Sequence, residues 1–472
     1  MNKNATQYFI RKAPTIAIYY EDEKITYDSL YDNVNRYANL LSSKYNKGDE
    51  ILVIMNDRPE YFYLFWGAVK VGIIPSLLST MLTDDEYQKI KSEKKYKHVF
   101  TDENIAEFDA AATSTDECDM AHAEDTDLCF YLFSSGTTGY ITAIPHKHRD
   151  MARTAINYAK KTLNMTAYDV CYSSAKLFFA YGFGNSMTFP LFVGASTVLV
   201  SESSTAKTAL ETIEKYKPSL YFGVPTLYAH MLKSLSTSSR DLSSVRLCIS
   251  AGEPLSAKIF NDWNKTTGAK ILDGIGTTEA LHIFISNRVE DNEAGCSGRL
   301  VPGYQARILD VQGNEVPDGE VGYLYIKGES ISGDNEWNST GDMFIKNGPK
   351  YYYQGRANDM LKIGGLWVSP TKIESKIMEH SNVLEVGVVQ SSDANGLIKP
   401  KAYVVTKSPC DDPIKFRNEL KKLCIDELPP NHYPNWIELV SSLPKTATGK
   451  IKRFQLRVAD AFSPPNEEVS EG

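Results

Sequence analysis

Apolar and polar positions along the chain fall into two textures. Residues 16–20 and 25–27 alternate around a charged turn and predict a short hairpin. Residues 27–45 carry apolar side chains three and four apart, the spacing of a helix with one buried face. Strands are predicted over 50–55, 73–78 and 128–133, with a helix over 59–71. Helices over 152–163, 183–192 and 206–216 then alternate with strands over 170–174, 196–200 and 220–224, and further strands follow at 245–250 and 270–273. Such alternation predicts an α/β fold with largely parallel pairing. The Ala-, Asp-, Glu- and Thr-rich stretch 102–127 reads as an exposed loop.

Near residue 300 the texture changes. Short strands at 303–309, 322–327 and 350–353 are separated by Gly, Asp, Asn and Pro turns, which predicts a small β-rich subdomain. Beyond a joint at 355–359, helices at 371–380 and 413–428 with strands at 383–390 and 401–406 describe a compact α+β unit. The expected division is a large N-terminal domain, 1–357, of stacked α/β subdomains plus the β-rich subdomain. A small mobile α+β C-terminal domain, 358–462, and a polar tail, 463–472, complete the chain.

Composition narrows the functions open to this fold. At 472 residues the chain exceeds one compact core, and 42% hydrophobic with 23% charged residues is an ordinary globular balance. A net charge of -8 leaves no basic footprint for nucleic acid. The seven cysteines form no CxxC pair, which argues against zinc and suits a reducing compartment. No uncharged apolar run reaches membrane-spanning length, so a cytoplasmic protein without nucleic-acid or membrane partners is expected.

The most informative run is Ser134-Ser135-Gly136-Thr137-Thr138-Gly139, directly after the strand at 128–133. Its glycines let backbone N–H groups face a polyanion and its hydroxyls donate to phosphate oxygens, although no Lys-Ser or Lys-Thr follows as in the common NTPase loop. Alone, the run reads equally as a surface linker. Four further stretches decide: Ser250-Ala251-Gly252-Glu253-Pro254, Asp273 through Glu279, Ser339-Thr340-Gly341-Asp342, and Pro444 through Lys450. In this order the chain resembles the acyl-adenylate-forming superfamily of acyl-CoA ligases, adenylation domains and luciferases. Lys176 through Asn185 and Gly274 through Ser286 resemble its aryl branch, the benzoate- and hydroxybenzoate-CoA ligases.

The resemblance implies roles. Ser134, Ser135, Gly136, Thr137, Thr138 and Gly139 would cradle phosphate; Gly252, Glu253 and Pro254 would line one face of adenine and Ile275 the other, with Asp273, Gly274, Gly276 and Thr277 also at the nucleotide. Asp342 and Arg356 would hold the ribose, and Thr278 would donate to the α-phosphate. Glu279 would ligate Mg2+, a hard cation satisfied by one carboxylate, phosphates and water. Lys450 would bridge the substrate carboxylate and the nucleotide in adenylation. Phe179, Ala180, Tyr181, Gly182, His282 and Ile283 would form a flat acyl slot, with Asn358 as hinge and Lys362, Gly364 and Gly365 at a thiol tunnel. The implied reaction uses ATP and Mg2+ to activate an aryl carboxylic acid for transfer to coenzyme A. A carrier-protein phosphopantetheine or an amine is the alternative acceptor, and a non-catalytic acyl- or nucleotide-binding descendant is the reading from another class.

Three departures bear on this. Relatives follow the phosphate loop with Pro-Lys-Gly, whereas this chain has Ile141-Thr142-Ala143, with Lys147 and His146 the nearest candidates to replace the lysine. The hinge position, usually Asp or Lys, is Asn358, and the connection 331–338 is short.

Overall fold

The computed structural model describes residues 2–135, 141–333, 336–363, 366–393, 397–430, 432–445 and 451–462. A nine-stranded sheet forms its largest layer, in the spatial order Arg299–Leu300, Ile283–Ser286, Lys270–Gly276, Leu247–Ser250, Leu220–Gly223, Val170–Ser173, Ser196–Leu199, Ile16–Tyr20, Glu23–Thr26. Its central strands are parallel, as the alternating pattern predicts, and antiparallel pairs close both edges.

A second sheet orders His98–Thr101, Glu50–Ile54, Ile74–Leu77, Leu128–Ser135 and Ile141–Lys147. The four antiparallel strands Tyr304–Leu309, Val321–Gly328, Asn338–Asn347 and Lys350–Arg356 make the β-rich subdomain. Beyond residue 358, the strands Val383–Ser392, Ile398–Thr406 and Trp436–Leu439 form a separate sheet flanked by the helices Pro370–Ile377 and Pro413–Glu427. The α/β architecture with a large N-terminal and a small C-terminal part is as expected.

The helix Pro59–Val71 joins the two α/β lobes. Proline opens it at a position where no N–H is needed, and Gly72 closes it in the left-handed conformation at φ +77°. Apolar residues surround its axis, so it is buried on all sides. Gly67 admits the helix Tyr27–Lys44 so closely that an added Cβ would lie 2.9 Å from Tyr37 Cβ. Phe65 meets Phe130 of the second sheet and Phe183 of the other lobe edge to face, at 5.5 and 5.1 Å.

Four sequence expectations change. The stretch 102–127 contains the helix Ile105–Ala111, because Ile105 and Phe108 bury against the first lobe despite the polar composition around them. The helix expected over 152–163 is an α-helix, His148–Thr154, continued as a π-helix, Ala155–Lys160. That over 183–192 divides into Ala180–Phe183, a π-helical turn Gly184–Thr188, and Phe189–Val193. Pro190 lacks the N–H that would continue α-helical bonding, and the His282 ring presses where a side chain at 184 would sit. The helices Asp84–Glu93, Pro225–Leu235 and Ala257–Thr267 escaped the periodicity reading. Their starts were nonetheless marked, by a Thr83/Glu86 capping box, by Pro225 and by the Ser256 cap.

Candidate active site

The site is built on one hairpin. Lys270–Gly276 runs parallel to Leu247–Ser250, then pairs antiparallel with Ile283–Ser286, placing Gly276 opposite Ile283. Glycine is required at 276, since an added Cβ would lie 2.6 Å from the His282 carbonyl oxygen. The connection 277–282 returns through Leu281 at φ +66°, a left-handed conformation costing a branched side chain about 1–2 kcal/mol. The β-rich subdomain supports that turn. Ser332 N–H donates to the Glu279 carbonyl at 2.7 Å, and Ser330 Oγ donates to the Ala280 carbonyl at 3.1 Å.

Glu279 and Thr278 therefore sit in a fixed connection. Among the described residues no hydrogen bond or ion pair engages the Glu279 carboxylate, leaving a hard oxygen donor unspent, which fits a Mg2+ shared with phosphates and water. No group of three or more His, Cys, Asp or Glu side chains among the described residues would hold a metal alone.

At the stretch expected to line adenine, Gly252 adopts φ +92° with only Val224 Cγ1, at 3.8 Å, near where a side chain would point, which leaves the backbone open to a flat ligand. Glu253 Oε2 accepts from Thr226 N–H at 3.1 Å and from its hydroxyl at 2.7 Å, while Oε1 is enclosed without a partner. Asp273 Oδ1 is likewise enclosed and unpartnered, and burial pushes this carboxyl well above its ordinary range. Such an oxygen suits an exocyclic amine. Asp342, 3% exposed, lies 3.2 Å from Arg356 Nε, and Arg356 Nη1 donates to the Thr340 carbonyl at 2.8 Å. Their strands pair with Asp342 opposite Arg356, so the two predicted ribose residues are brought together. Ser134 lies at the tip of the Leu128–Ser135 and Ile141–Lys147 hairpin opposite Thr142. The expected positions Gly136, Thr137, Thr138 and Gly139, and the Ser135 side chain, lie outside the described residues.

The candidates for the missing loop lysine are not at the loop. Lys147 pairs with Leu128 at the far end of that hairpin, six residues and about 20 Å from Ser134. His146 is fully buried and stacked on Phe130.

The residues expected to form the acyl slot gather around His282, at the end of the hairpin's connection. Phe179 caps the short helix Ala180–Phe183; Tyr181 within it donates its hydroxyl to the Ile249 carbonyl at 3.1 Å, fixing the ring. His282, 3% exposed, is ringed by Tyr181, Tyr158 and Phe189 at 5.6, 5.2 and 4.5 Å. Its Nε2 lies 3.0 Å from Asn185 Oδ1, a hydrogen bond that orients the ring. The pattern at 176–185 contained Asn185, but only the folded chain reveals it as the group orienting His282.

Burial pushes His282 down to about 3, so it is neutral at physiological pH. Its folded value lies below the ordinary 6.5, so the unfolded chain takes up the proton first and stability falls as pH drops through 6.5 toward 3. His282→Phe is expected to remove about 2 kcal/mol of the stability loss between about pH 7 and pH 5, measured by urea unfolding at each pH.

Near the joint, Asn358 precedes Asp359, which Arg457 Nη1 meets at 2.9 Å and Arg453 at 3.6 Å. Arg453 also forks onto both Glu374 oxygens at 2.7 Å, fastening the helix Arg453–Phe462 to Pro370–Ile377. These ion pairs join residues 79 and 98 positions apart and had no sequence signal. Lys362 is exposed on the strand Leu361–Ile363, with Nζ 5.4 Å from the Trp367 ring. Gly364, Gly365 and Lys450 lie outside the described residues.

Comparison with known proteins follows this geometry. Residues 9–333 match the model of the AMP-binding enzymes and residues 372–450 that of the AMP-binding enzyme C-terminal domain. A benzoate–CoA ligase of Thauera aromatica is 37% identical over 486 residues, spanning 94% of this chain and 92% of its own. Among solved structures, the anthranilate CoA ligase AuaEII in complex with anthranoyl-AMP superposes with a TM-score of 0.90 at 33% identity, covering 97% of each chain. A benzoate CoA ligase from Burkholderia xenovorans LB400 gives 0.85 at 35% identity, covering 97% of this chain and all of the other.

Proposed function

The chain belongs to the family of AMP-binding enzymes, and from that premise we propose that it is an AMP-forming ligase joining an aryl carboxylic acid to coenzyme A at the expense of ATP. The observation that supports this reading is the hairpin in which Gly276 pairs with Ile283, since it joins the stretch expected to bind nucleotide, Asp273 to Thr277, to the residues expected to meet the acid, His282 and Ile283.

In the first half-reaction the acid's carboxylate oxygen attacks the α-phosphorus and pyrophosphate leaves. Bringing two anions together makes charge neutralisation and alignment the main task. Thr278 donates to the α-phosphate, Asp342 and Arg356 fix the ribose, and Lys450 bridges the reacting oxygens. Glu279 would hold Mg2+, which when bound would supply further neutralisation of phosphate charge. In the second half-reaction the thiol attacks the acyl carbonyl, AMP leaves with the bonding pair, and the thiol proton passes to solvent. Residues 1–357 form the adenylation domain and 358–462 a lid that turns about Asn358, bringing the loop at Lys362, Gly364 and Gly365 to line the thiol's path. A benzoate-like acid is the substrate, as the relatives' names suggest, and the cytoplasm is the compartment. Among the described residues no helix is long and apolar enough to cross a membrane.

The test is acid-dependent ATP–pyrophosphate exchange with benzoate, hydroxybenzoates, aminobenzoates, cinnamates and short fatty acids, followed by mass detection of the acyl-CoA. Exchange with an aryl acid and an acyl-CoA product is expected. An acylated carrier protein in place of acyl-CoA would move the acceptor. ATP binding without exchange for any acid would overturn the ligase reading.

A further inference from the structure

The turn that begins the acyl slot is held by residues outside it. The Leu177 N–H, two positions before Phe179, donates to Asp57 Oδ1 at 2.9 Å across 120 residues of chain. Asp57 stands between the strand Glu50–Ile54 and the helix Pro59–Val71, so its carboxylate belongs to the other α/β lobe. The adjacent Lys176 sends its ammonium to the carbonyls of Val200, Ser201 and Glu202, and Ser201 Oγ donates to the Asp57 carbonyl at 2.9 Å. Asp57 and Lys176 are 3% and 5% exposed. The chain then folds back so tightly that Gly182 lies against the carbonyls of Ala175 and Lys176. Two charged side chains closed off from water, at consecutive links of one turn, exceed what packing an apolar loop requires.

Resting on the ligase reading, we infer that Asp57 is a positioning residue for the acyl slot, setting Phe179 and Tyr181 through the Leu177 amide and so tuning affinity for the acid without touching it. The groups facing Asp57 are Lys176, which favours its anion, Asp102, which disfavours it, and the enclosed hydroxyls of Tyr61 and Tyr172, neither of which has a hydrogen-bond partner among the described residues. Arg58 lies 3.7 Å from Asp102, and Glu202 faces Lys176. Burial, opposed by Lys176, pushes the Asp57 carboxyl up to about 6. The charge-assisted bond therefore weakens as pH falls through that value, and the slot loosens.

The test compares Asp57→Ala and Asp57→Asn with the wild type, measuring KM for the acid, KM for ATP and kcat in ATP–pyrophosphate exchange at several pH values. Asp57→Ala is expected to raise the acid's KM about tenfold, with kcat and the ATP KM changed less than about twofold. Asp57→Asn, whose amide oxygen still accepts from Leu177, is expected to recover most of that loss near neutral pH. It should also abolish the rise in acid KM that the wild type shows below about pH 6. Equal losses in both variants, a fall confined to kcat, or a pH profile unchanged in Asp57→Asn would each overturn the inference. Should Asp57→Ala fail to fold, the pH profile of Asp57→Asn alone decides. A wild type that exchanges with no aryl acid sinks the ligase reading instead, so the two failures are distinguishable.

Discussion

Lys450→Ala is expected to slow acyl-adenylate formation by about two to three orders of magnitude, the usual cost of removing one preorganised charge from a reaction between anions. The loss should fall on one half-reaction. When synthetic acyl-adenylate and coenzyme A are supplied, thioester formation by the variant should stay within a few-fold of wild type. Equal losses in both assays would show that the substitution disturbs the fold or that Lys450 does not serve the adenylation step. The departure at Ile141-Thr142-Ala143 sharpens this expectation. Lys147 pairs at the far end of the hairpin from Ser134, so fewer cations are expected to neutralise the departing pyrophosphate and the dependence on Lys450 is expected to deepen.

Gly182→Ala should have the next largest effect. Its methyl group would lie 2.1 Å from the Lys176 carbonyl oxygen and 2.4 Å from that of Ala175, both backbone atoms that no rotamer change can move. Overpacking of this kind costs about 1–3 kcal/mol in folding. The turn can relieve it only by swinging Phe179 and Tyr181, so the acid's KM should rise at least about tenfold. The ATP KM should change little, because the nucleotide side of the hairpin is built from other strands. Urea unfolding alongside the two KM values checks both statements, and an unchanged acid KM would place the acyl slot elsewhere.

What the sequence disclosed and withheld follows from the range of each interaction. The strand read over 220–224 is a continuous apolar run whose burial on both faces is local information, and it formed as Leu220–Gly223. The motif glycines were legible because a left-handed φ at Gly252 or a close backbone approach at Gly276 leaves few alternatives. The Asn185–His282 bond, the Asp57–Leu177 bond and the Arg453–Glu374 fork join residues 97, 120 and 79 positions apart, and no local pattern encodes which polar groups will meet. The π-helical turn at 184–188 was only half legible: Pro190 marks a break in the sequence, but the ring that closes on Gly184 arrives from residue 282.

The edge of the nine-stranded sheet sets a timetable for synthesis. Ile16–Tyr20 pairs with Glu23–Thr26 on one side and with Ser196–Leu199 on the other, and Ser196 Oγ donates to the Ile16 carbonyl at 2.7 Å. On a ribosome this amino-terminal hairpin is exposed on the order of ten to forty seconds before its neighbour strand is made. A two-stranded hairpin is marginal in water, so the apolar, aromatic strand Ile16–Tyr20 waits with an open edge through that interval. Nascent-chain chaperones should engage this hairpin during that interval, and a slowed stretch of codons before residue 196 would lengthen the exposure.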